Sequence, residues 1–116
     1  MKKNPTARTD TLQREYQRLS RSLAEIGYIS QGSTLDRSAL RPPRSGYQWT
    51  RKVAQKTITV ALSADQFQAL KKAIANRRTL QQTITKMEKI SRQILFETLP
   101  DTSRRKRLPK KVLGTL

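Results

Sequence analysis

Residues 47–62 constrain the fold most, because their pattern predicts two β-strands around a short turn. In the second strand, residues 57–62, isoleucine, valine and leucine alternate with threonine and alanine, so one face is apolar and the other small and polar. In the first strand, residues 47–53, both aromatic residues share one face. Residues 54–56 are the predicted turn. An isolated hairpin is marginal in water, so we expect this one to pack against flanking helices.

The charge balance points to a polyanionic partner. The chain has 116 residues, with 25 Lys and Arg against 8 Asp and Glu, giving a formal charge of +17. Such an excess repels itself in a compact fold, so we expect a partner that offsets it. Nucleic acid is favoured over an anionic membrane surface. The length suits one small domain with a modest core.

Two absences restrict the chemistry and the location. The sequence contains no cysteine and no histidine, which excludes zinc fingers, thiol nucleophiles and histidine acid–base catalysis. We expect no metal and no cofactor. No apolar run approaches the ~20 residues of a membrane span, and the N-terminus lacks the apolar core of a signal peptide. We therefore expect a cytoplasmic protein without a membrane partner.

The first helix is predicted by a repeated apolar spacing. Residues 1–8 have the composition of a basic, disordered arm. Thr9 or Asp10 is the candidate N-cap, and Gly27 is a helix stop. Apolar residues between them recur every three or four positions, which indicates a seam that packs on another helix. The seam consists of Leu12, Tyr16, Leu19, Leu23 and Ile26.

The connection from this helix to the hairpin contains two different stretches. Residues 28–32 are predicted to be extended and to pair with the hairpin as a third strand. Residues 33–46 contain Pro-Pro and Ser-Gly pairs, which oppose regular structure. A loop of this length is either functional or mobile.

A long second helix is predicted after the hairpin. Residues 63–66 match a capping box, and no proline follows until Pro100. The helix would extend about 50 Å, which is longer than the first helix can cover. The uncovered part of its apolar seam is expected to meet another protein, to pair with a second copy in a homodimer, or to stay exposed. The residues assigned to this surface are Leu80, Ile84, Met87, Ile94 and Leu95.

These predictions combine into an α+β fold. It has an N-terminal helix, a small two- or three-stranded antiparallel sheet, and a long C-terminal helix that pairs with the first. Residues 9–99 are predicted to form a single helix–β-hairpin–helix domain. Residues 100–116 are predicted to be a basic tail, disordered in isolation.

The candidate nucleic-acid-binding residues are cations that could neutralise phosphates, with one tyrosine beside them. Tyr47 and Trp49 could stack on unpaired bases, although Trp49 is better explained as a core residue. Alternatively, the hairpin could enter a duplex major groove with one face, assigned to Gln48, Thr50, Lys52 and Lys56, toward the bases. The full set of candidates is Arg37, Arg41, Arg44, Tyr47, Arg51, Lys52, Lys56, Lys71, Lys72, Arg77, Arg78, Arg104, Arg105, Lys106 and Arg107.

Catalysis has little support in the sequence. The eight acidic residues are scattered, and none shows the spacing of a paired-carboxylate site. The chain also lacks a glycine-rich phosphate-binding loop. We therefore expect a protein that is not an enzyme.

Four motifs, in residues 20–33, 46–50, 56–60 and 62–66, form a pattern similar to that of a protein family. They read Ser-x-x-Leu-x-x-Ile-Gly-Tyr-Ile-x-Gln-Gly-Ser, Gly-Tyr-Gln-Trp-Thr, Lys-Thr-Ile-Thr-Val and Leu-Ser-Ala-Asp-Gln. Over residues 12–95 the chain resembles an uncharacterised prokaryotic family of small basic helix–β-hairpin–helix proteins, often found near mobile elements. Some members carry cysteines in the loop between the first strands. This chain has none, so a zinc-stabilised loop is not expected.

Together these features predict a non-catalytic accessory subunit of a nucleoprotein complex. It would bind structured RNA or an RNA–DNA hybrid, with duplex DNA nearly as well supported, mainly through phosphates. The alternative is a protein-interaction adaptor, or an inhibitor, that docks on a nucleic-acid enzyme through the long helix.

Overall fold

The α+β architecture expected from the sequence is confirmed. The computed structural model describes residues 6–102 and 108–114. Within them an N-terminal helix precedes a three-stranded antiparallel sheet, and a long helix that contacts the first helix follows. The elements are α1 (Thr6–Leu23), β1 (Ser33–Asp36), β2 (Tyr47–Val53), β3 (Lys56–Leu62), α2 (Ala64–Thr98) and α3 (Lys110–Leu113).

The chain divides into two compact units. Unit 1 comprises Met1–Glu25 and Gln81–Leu116, and unit 2 comprises Ile26–Leu80. Helix α2 is continuous and contributes residues to both. The single domain predicted over residues 9–99 therefore includes parts of both units.

The hairpin forms the middle and one edge of the sheet in unit 2. Its register pairs Tyr47 with Leu62 and Trp49 with Val60, so the apolar residues of β3 share a face with the aromatic residues of β2. The turn has two residues rather than three. Both lie in the left-handed region, with φ of 49° at Ala54 and 66° at Gln55. This is the turn geometry that suits the twist of paired strands.

The third strand lies at a different place from the one predicted. Residues 33–36, expected to be part of a loop, form β1 and pair antiparallel with residues 47–50. Residues 28–32, the predicted strand, instead run along α2 without strand pairing. Two of their backbone groups bond to α2 and one accepts from the Trp49 indole, so those groups are satisfied without a strand partner.

The predicted capping box begins α2. The Ser63 backbone N–H donates to Gln66 Oε1 over 3.0 Å, and the Gln66 N–H donates to Ser63 Oγ over 3.2 Å. Two groups that the first helical turn would leave unpaired are thereby satisfied reciprocally.

Helix α1 begins earlier than predicted. It starts at Thr6, so the proposed cap Thr9 lies inside the helix. Thr9 is buried, and its hydroxyl has no hydrogen-bond partner among the described residues. Residues 6–8 of the predicted disordered arm are therefore helical, and Arg8 forms a 3.0 Å ion pair with Glu97 of α2. Residues 1–5 of that arm lie outside the described residues.

The tail predicted to be disordered contains one helical turn, α3 (Lys110–Leu113). The Arg92 Nε of α2 donates to the Leu113 carbonyl at its C-terminal end. Cations are favoured beside the carbonyls that end a helix. Gly114 follows with a φ of 77°, which permits the left-handed C-cap.

The apolar core is small, as the chain length implied. Among the described residues, the buried apolar side chains are Leu19, Phe67, Ala73 and Ile90. Leu19 belongs to the predicted seam of the first helix, whose other members, Leu12, Tyr16, Leu23 and Ile26, are half-buried. Stability therefore depends on few contacts, and each is expected to matter.

Candidate nucleic-acid interface

Unit 2 carries positive charge that no acidic side chain of the described residues pairs with. Its 55 residues include ten Lys and Arg against two Asp, a formal balance of +8. All ten belong to the predicted nucleic-acid-binding set. In the described part of the chain, none of the ten forms an ion pair with an acidic side chain. A polyanion bound to this surface would therefore meet cations that no acidic side chain of the described residues neutralises.

One of the two acidic residues of unit 2, Asp36, accepts hydrogen bonds from a single neighbouring residue, Ser38. Asp36 Oδ1 accepts from the Ser38 N–H over 3.0 Å and from the Ser38 hydroxyl over 2.8 Å. The hydrogen bond from the Ser38 N–H, followed by that from its hydroxyl, lowers the pKa of Asp36. This carboxylate caps a short 3₁₀ turn (Arg37–Ala39) and does not neutralise a neighbouring arginine.

The three arginines of the loop have different roles. The Arg37 N–H donates to the Gly46 carbonyl over 2.9 Å, and the Arg44 N–H donates to the Arg37 carbonyl over 3.0 Å. The Arg37 Nε also donates to Gln48 Oε1 over 3.3 Å. Arg37 thus closes the loop and is half-buried, whereas Arg41 and Arg44 are exposed. The loop predicted to be irregular is therefore closed by hydrogen bonds and exposes two guanidinium groups.

Two hairpin cations share one face of the sheet. The guanidinium carbon of Arg51 lies 5.8 Å from the centroid of the Trp49 ring, within range of a cation–π interaction. Val53 pairs with Lys56, so Lys56 is the diagonal neighbour of Arg51 on the same face. Arg51 and Lys56 are both exposed near the turn.

The predicted set of residues that would face a DNA major groove is wrong for Lys56. Lys56 lies on the face opposite to that of Gln48, Thr50 and Lys52, because the two-residue turn places it across from Val53. Lys52 therefore remains the one cation of β2 and β3 on the polar face, beside Thr57.

Helix α2 contributes four cations to unit 2. Lys71, Lys72 and Arg78 are exposed and Arg77 is half-buried. Lys71 and Arg78 are seven residues apart and lie on the same side of the helix. The Lys71 Nζ lies 5.7 Å from the centroid of the Phe67 ring, which leaves its ammonium accessible above an apolar surface.

The two aromatic rings considered for base stacking are engaged within unit 2. Tyr47 stacks on Phe67, with ring centroids 4.4 Å apart. The Trp49 Nε1 donates to the Gln31 carbonyl over 2.9 Å. Both side chains are half-buried, which favours packing roles for them.

Tyr28 is 91% exposed, the most exposed of the large apolar residues in the described part of the chain. The sequence patterns did not identify it as a candidate binding residue. It was assigned to a strand, where a tyrosine would be half-buried against neighbouring strands. The sequence pattern of residues 28–32 does not predict whether this ring is exposed or packed. Its exposure depends on the course of the segment along α2.

The predicted protein-binding surface is open at two positions. Ile84 is 41% exposed and Leu95 is 52% exposed. The other three assigned residues, Leu80, Met87 and Ile94, are half-buried. A shallow groove of about 330 Å³ in unit 1 is lined by Tyr16, Ile84, Met87, Glu88, Ser91 and Arg92.

The remaining predicted cations, Arg104, Arg105, Lys106 and Arg107, lie outside the described residues. Over the described ranges, no helix combines the length and the apolar character required to cross a membrane.

Comparison of the chain with protein-family models, with curated proteins and with solved structures finds no match. The resemblance to a prokaryotic family of small basic proteins therefore stays a prediction from its motifs.

Proposed function

We propose that this protein is a non-catalytic, cytoplasmic nucleic-acid-binding accessory subunit of a nucleoprotein complex. The observation that carries the proposal is the surplus of ten cations over two acids in unit 2, with no ion pair to any of the ten among the described residues. Neutralising these cations by phosphates removes the mutual repulsion and releases counterions from the nucleic acid.

The distribution of the cations favours backbone contacts over base reading. They project from a loop, a hairpin and a helix, each by long flexible side chains. Such contacts position a protein on a nucleic acid without selecting its sequence. RNA, an RNA–DNA hybrid and duplex DNA are all compatible ligands, and shape would discriminate among them.

The acidic residues with resolved contacts support a non-catalytic role. A hydrogen bond from Arg18 lowers the pKa of Glu15, and hydrogen bonds from Ser38 lower that of Asp36. Glu97 is paired with Arg8. The pKa values of Glu15 and Asp36 thus move away from neutrality, whereas general acid–base catalysis by a carboxyl group near pH 7 favours a raised pKa.

The proposal is tested by the salt dependence of binding. We would measure fluorescence anisotropy with labelled RNA, RNA–DNA hybrid and duplex DNA of one sequence, between 50 and 200 mM salt. Neutralisation of six or more phosphates predicts a loss of affinity of about a thousand-fold or more over that range. Absence of binding, or a complex insensitive to salt, would refute the proposal.

A charge-matched pair of triple variants locates the surface. The unit 2 variant carries Lys71→Gln, Lys72→Gln and Arg78→Gln, which are exposed positions of α2. Its salt slope is expected to fall by about two to three, since each lost phosphate contact removes roughly 0.7–0.9. The control variant replaces three exposed cations of unit 1, Arg14, Arg21 and Lys86, by glutamine. Equal losses in both variants would contradict a surface concentrated in unit 2.

A second candidate function is docking on a protein through α2. Ile84 and Leu95 are eleven residues apart, three helical turns, so they lie on the same side of the helix, and both are exposed. An acidic partner protein would suit this cationic chain better than a second copy, because two copies repel.

Sedimentation of the purified chain, with and without nucleic acid, separates self-association from nucleic-acid binding. The double variant Ile84→Ser, Leu95→Ser should abolish protein docking and leave nucleic-acid affinity unchanged.

A further inference from the structure

Tyr28 presents an uncovered aromatic ring from a fixed backbone. Its side chain is 91% exposed, yet its carbonyl accepts from the Asn76 Nδ2 of α2 over 2.9 Å. Two residues later the Ser30 N–H donates to the Ala73 carbonyl over 3.2 Å. The chain on the C-terminal side of the ring is thus bound to the helix, while the ring contacts solvent.

Both ends of this segment are restrained as well. Gly27 has a φ of 88°, and a Cβ there would lie 3.4 Å from the Asn76 amide nitrogen, so the chain passes close to α2. The Gln31 carbonyl accepts from the Trp49 Nε1 over 2.9 Å. Because the backbone is already ordered, a ligand that stacks on Tyr28 needs to immobilise little more than one side chain with two rotatable χ angles.

Two cations of α2 lie within about one helical turn of Asn76, which binds the Tyr28 carbonyl. Lys72 is four residues before Asn76 and therefore on the same side of α2, and its side chain is exposed. Arg77 directly follows Asn76. A strand whose base contacts the ring would have its phosphates within the field of these two cations.

We propose that Tyr28 stacks on an unpaired nucleobase, so that the ligand class is nucleic acid with single-stranded or unpaired bases rather than a fully paired duplex. The inference rests on the proposed nucleic-acid binding. Tyr28 suits this role better than Tyr47 or Trp49. One ring face of Tyr47 is occupied by Phe67, and the Trp49 indole donates a hydrogen bond to the Gln31 carbonyl. A ring stacked on a base contributes without reading sequence.

The test compares two labelled RNA ligands, a single strand and a blunt-ended, fully paired duplex of the same length. Anisotropy would be measured for the full chain and for Tyr28→Ala, Tyr28→Phe and Tyr28→Leu. We expect Tyr28→Ala to weaken single-strand binding by about 5- to 150-fold and to leave duplex binding unchanged. Tyr28→Phe should retain single-strand affinity, and Tyr28→Leu should lose most of it, since leucine offers no π-face.

The control is Ile58→Ala, which truncates a different exposed apolar side chain of unit 2. It should leave both affinities unchanged. The exposed ring of Tyr28 supports no core contact, so its variants should unfold at the wild-type temperature. The salt slope should also be unchanged, because stacking releases no counterions.

The outcomes separate this inference from the proposal on which it rests. If the wild type binds neither RNA nor DNA in any form, the proposed function fails. If the wild type binds and Tyr28→Ala binds the single strand equally well, only the stacking inference fails. An equal loss of affinity for the paired duplex would also overturn it, because a duplex offers no unpaired base. Full single-strand affinity of Tyr28→Leu would overturn it as well, because leucine cannot stack.

Discussion

The Tyr47 ring stacks on the Phe67 ring, with centroids 4.4 Å apart and planes inclined by 26°. Tyr47 is the first residue of β2 and Phe67 lies in the first turn of α2, so this pair joins the sheet to the helix within unit 2. Phe67 is buried, and few other apolar side chains share that property. The stacking therefore secures the element that carries Lys71 and Lys72.

Truncation of Phe67 should unfold unit 2. Phe67→Ala is expected to cost about 3–5 kcal/mol, which is comparable to the whole stability of a small domain. The milder changes Tyr47→Leu and Phe67→Leu form a double-mutant cycle with an expected coupling of roughly 0.5–1.5 kcal/mol. Urea unfolding would measure it. A Tyr47→Leu variant that keeps full stability but loses nucleic-acid affinity would contradict the packing role.

Substitution of Gly32 should be far more costly than substitution of Gly27. A Cβ at Gly32 would lie 2.5 Å from Trp49 Nε1 and 2.6 Å from the Thr50 carbonyl, whereas at Gly27 the nearest atom is 3.4 Å away. Both glycines have positive φ, so Gly27→Ala reports backbone strain of about 1 kcal/mol without a clash. We expect Gly32→Ala to lose about 2 kcal/mol or more. Thermal unfolding followed by Trp49 fluorescence would compare them, and equal losses would exclude the clash.

The hairpin turn should be improvable. Ala54 and Gln55 both adopt positive φ, which residues with a Cβ disfavour. Replacing them together, Ala54→Asn with Gln55→Gly, is expected to stabilise unit 2 by about 1 kcal/mol, because that pair favours this turn. The opposite control, Gln55→Val, should destabilise the turn, since a β-branched residue resists positive φ. Urea midpoints would rank the three proteins, and any other order would contradict a left-handed two-residue turn.

Stability should carry an acid dependence from Asp36. The hydrogen bonds from Ser38 lower its pKa in the folded state, so its contribution is present above the unfolded pKa near 3.9 and is lost as the pH falls through the lower folded value. The stability difference between wild type and Asp36→Ala should therefore be largest near pH 7 and shrink below about pH 4. Asp36→Asn keeps an acceptor that does not titrate, so its difference from Asp36→Ala should stay constant. Urea unfolding at three pH values would measure these free energies. A difference between wild type and Asp36→Ala that does not change with pH would contradict this role.

The features predicted correctly depend on neighbours in sequence. Alternation with a period of two located β2 and β3, and the box formed by Ser63 and Gln66 located the start of α2. The same local patterns missed the third strand, because the choice between residues 28–32 and 33–36 depends on which distant groups accept and donate hydrogen bonds.

The sequence by itself therefore determined the hairpin, the two long helices and the positive charge, since periodicity, capping and composition are properties of short stretches or of sums. The tertiary structure decided how individual side chains are used. Arg37 closes a loop because Gly46 and Gln48 come within hydrogen-bond distance of it. Tyr28 is exposed because Asn76, Ala73 and Trp49 hold its segment along α2, and such contacts between residues far apart in the chain leave no periodic signal.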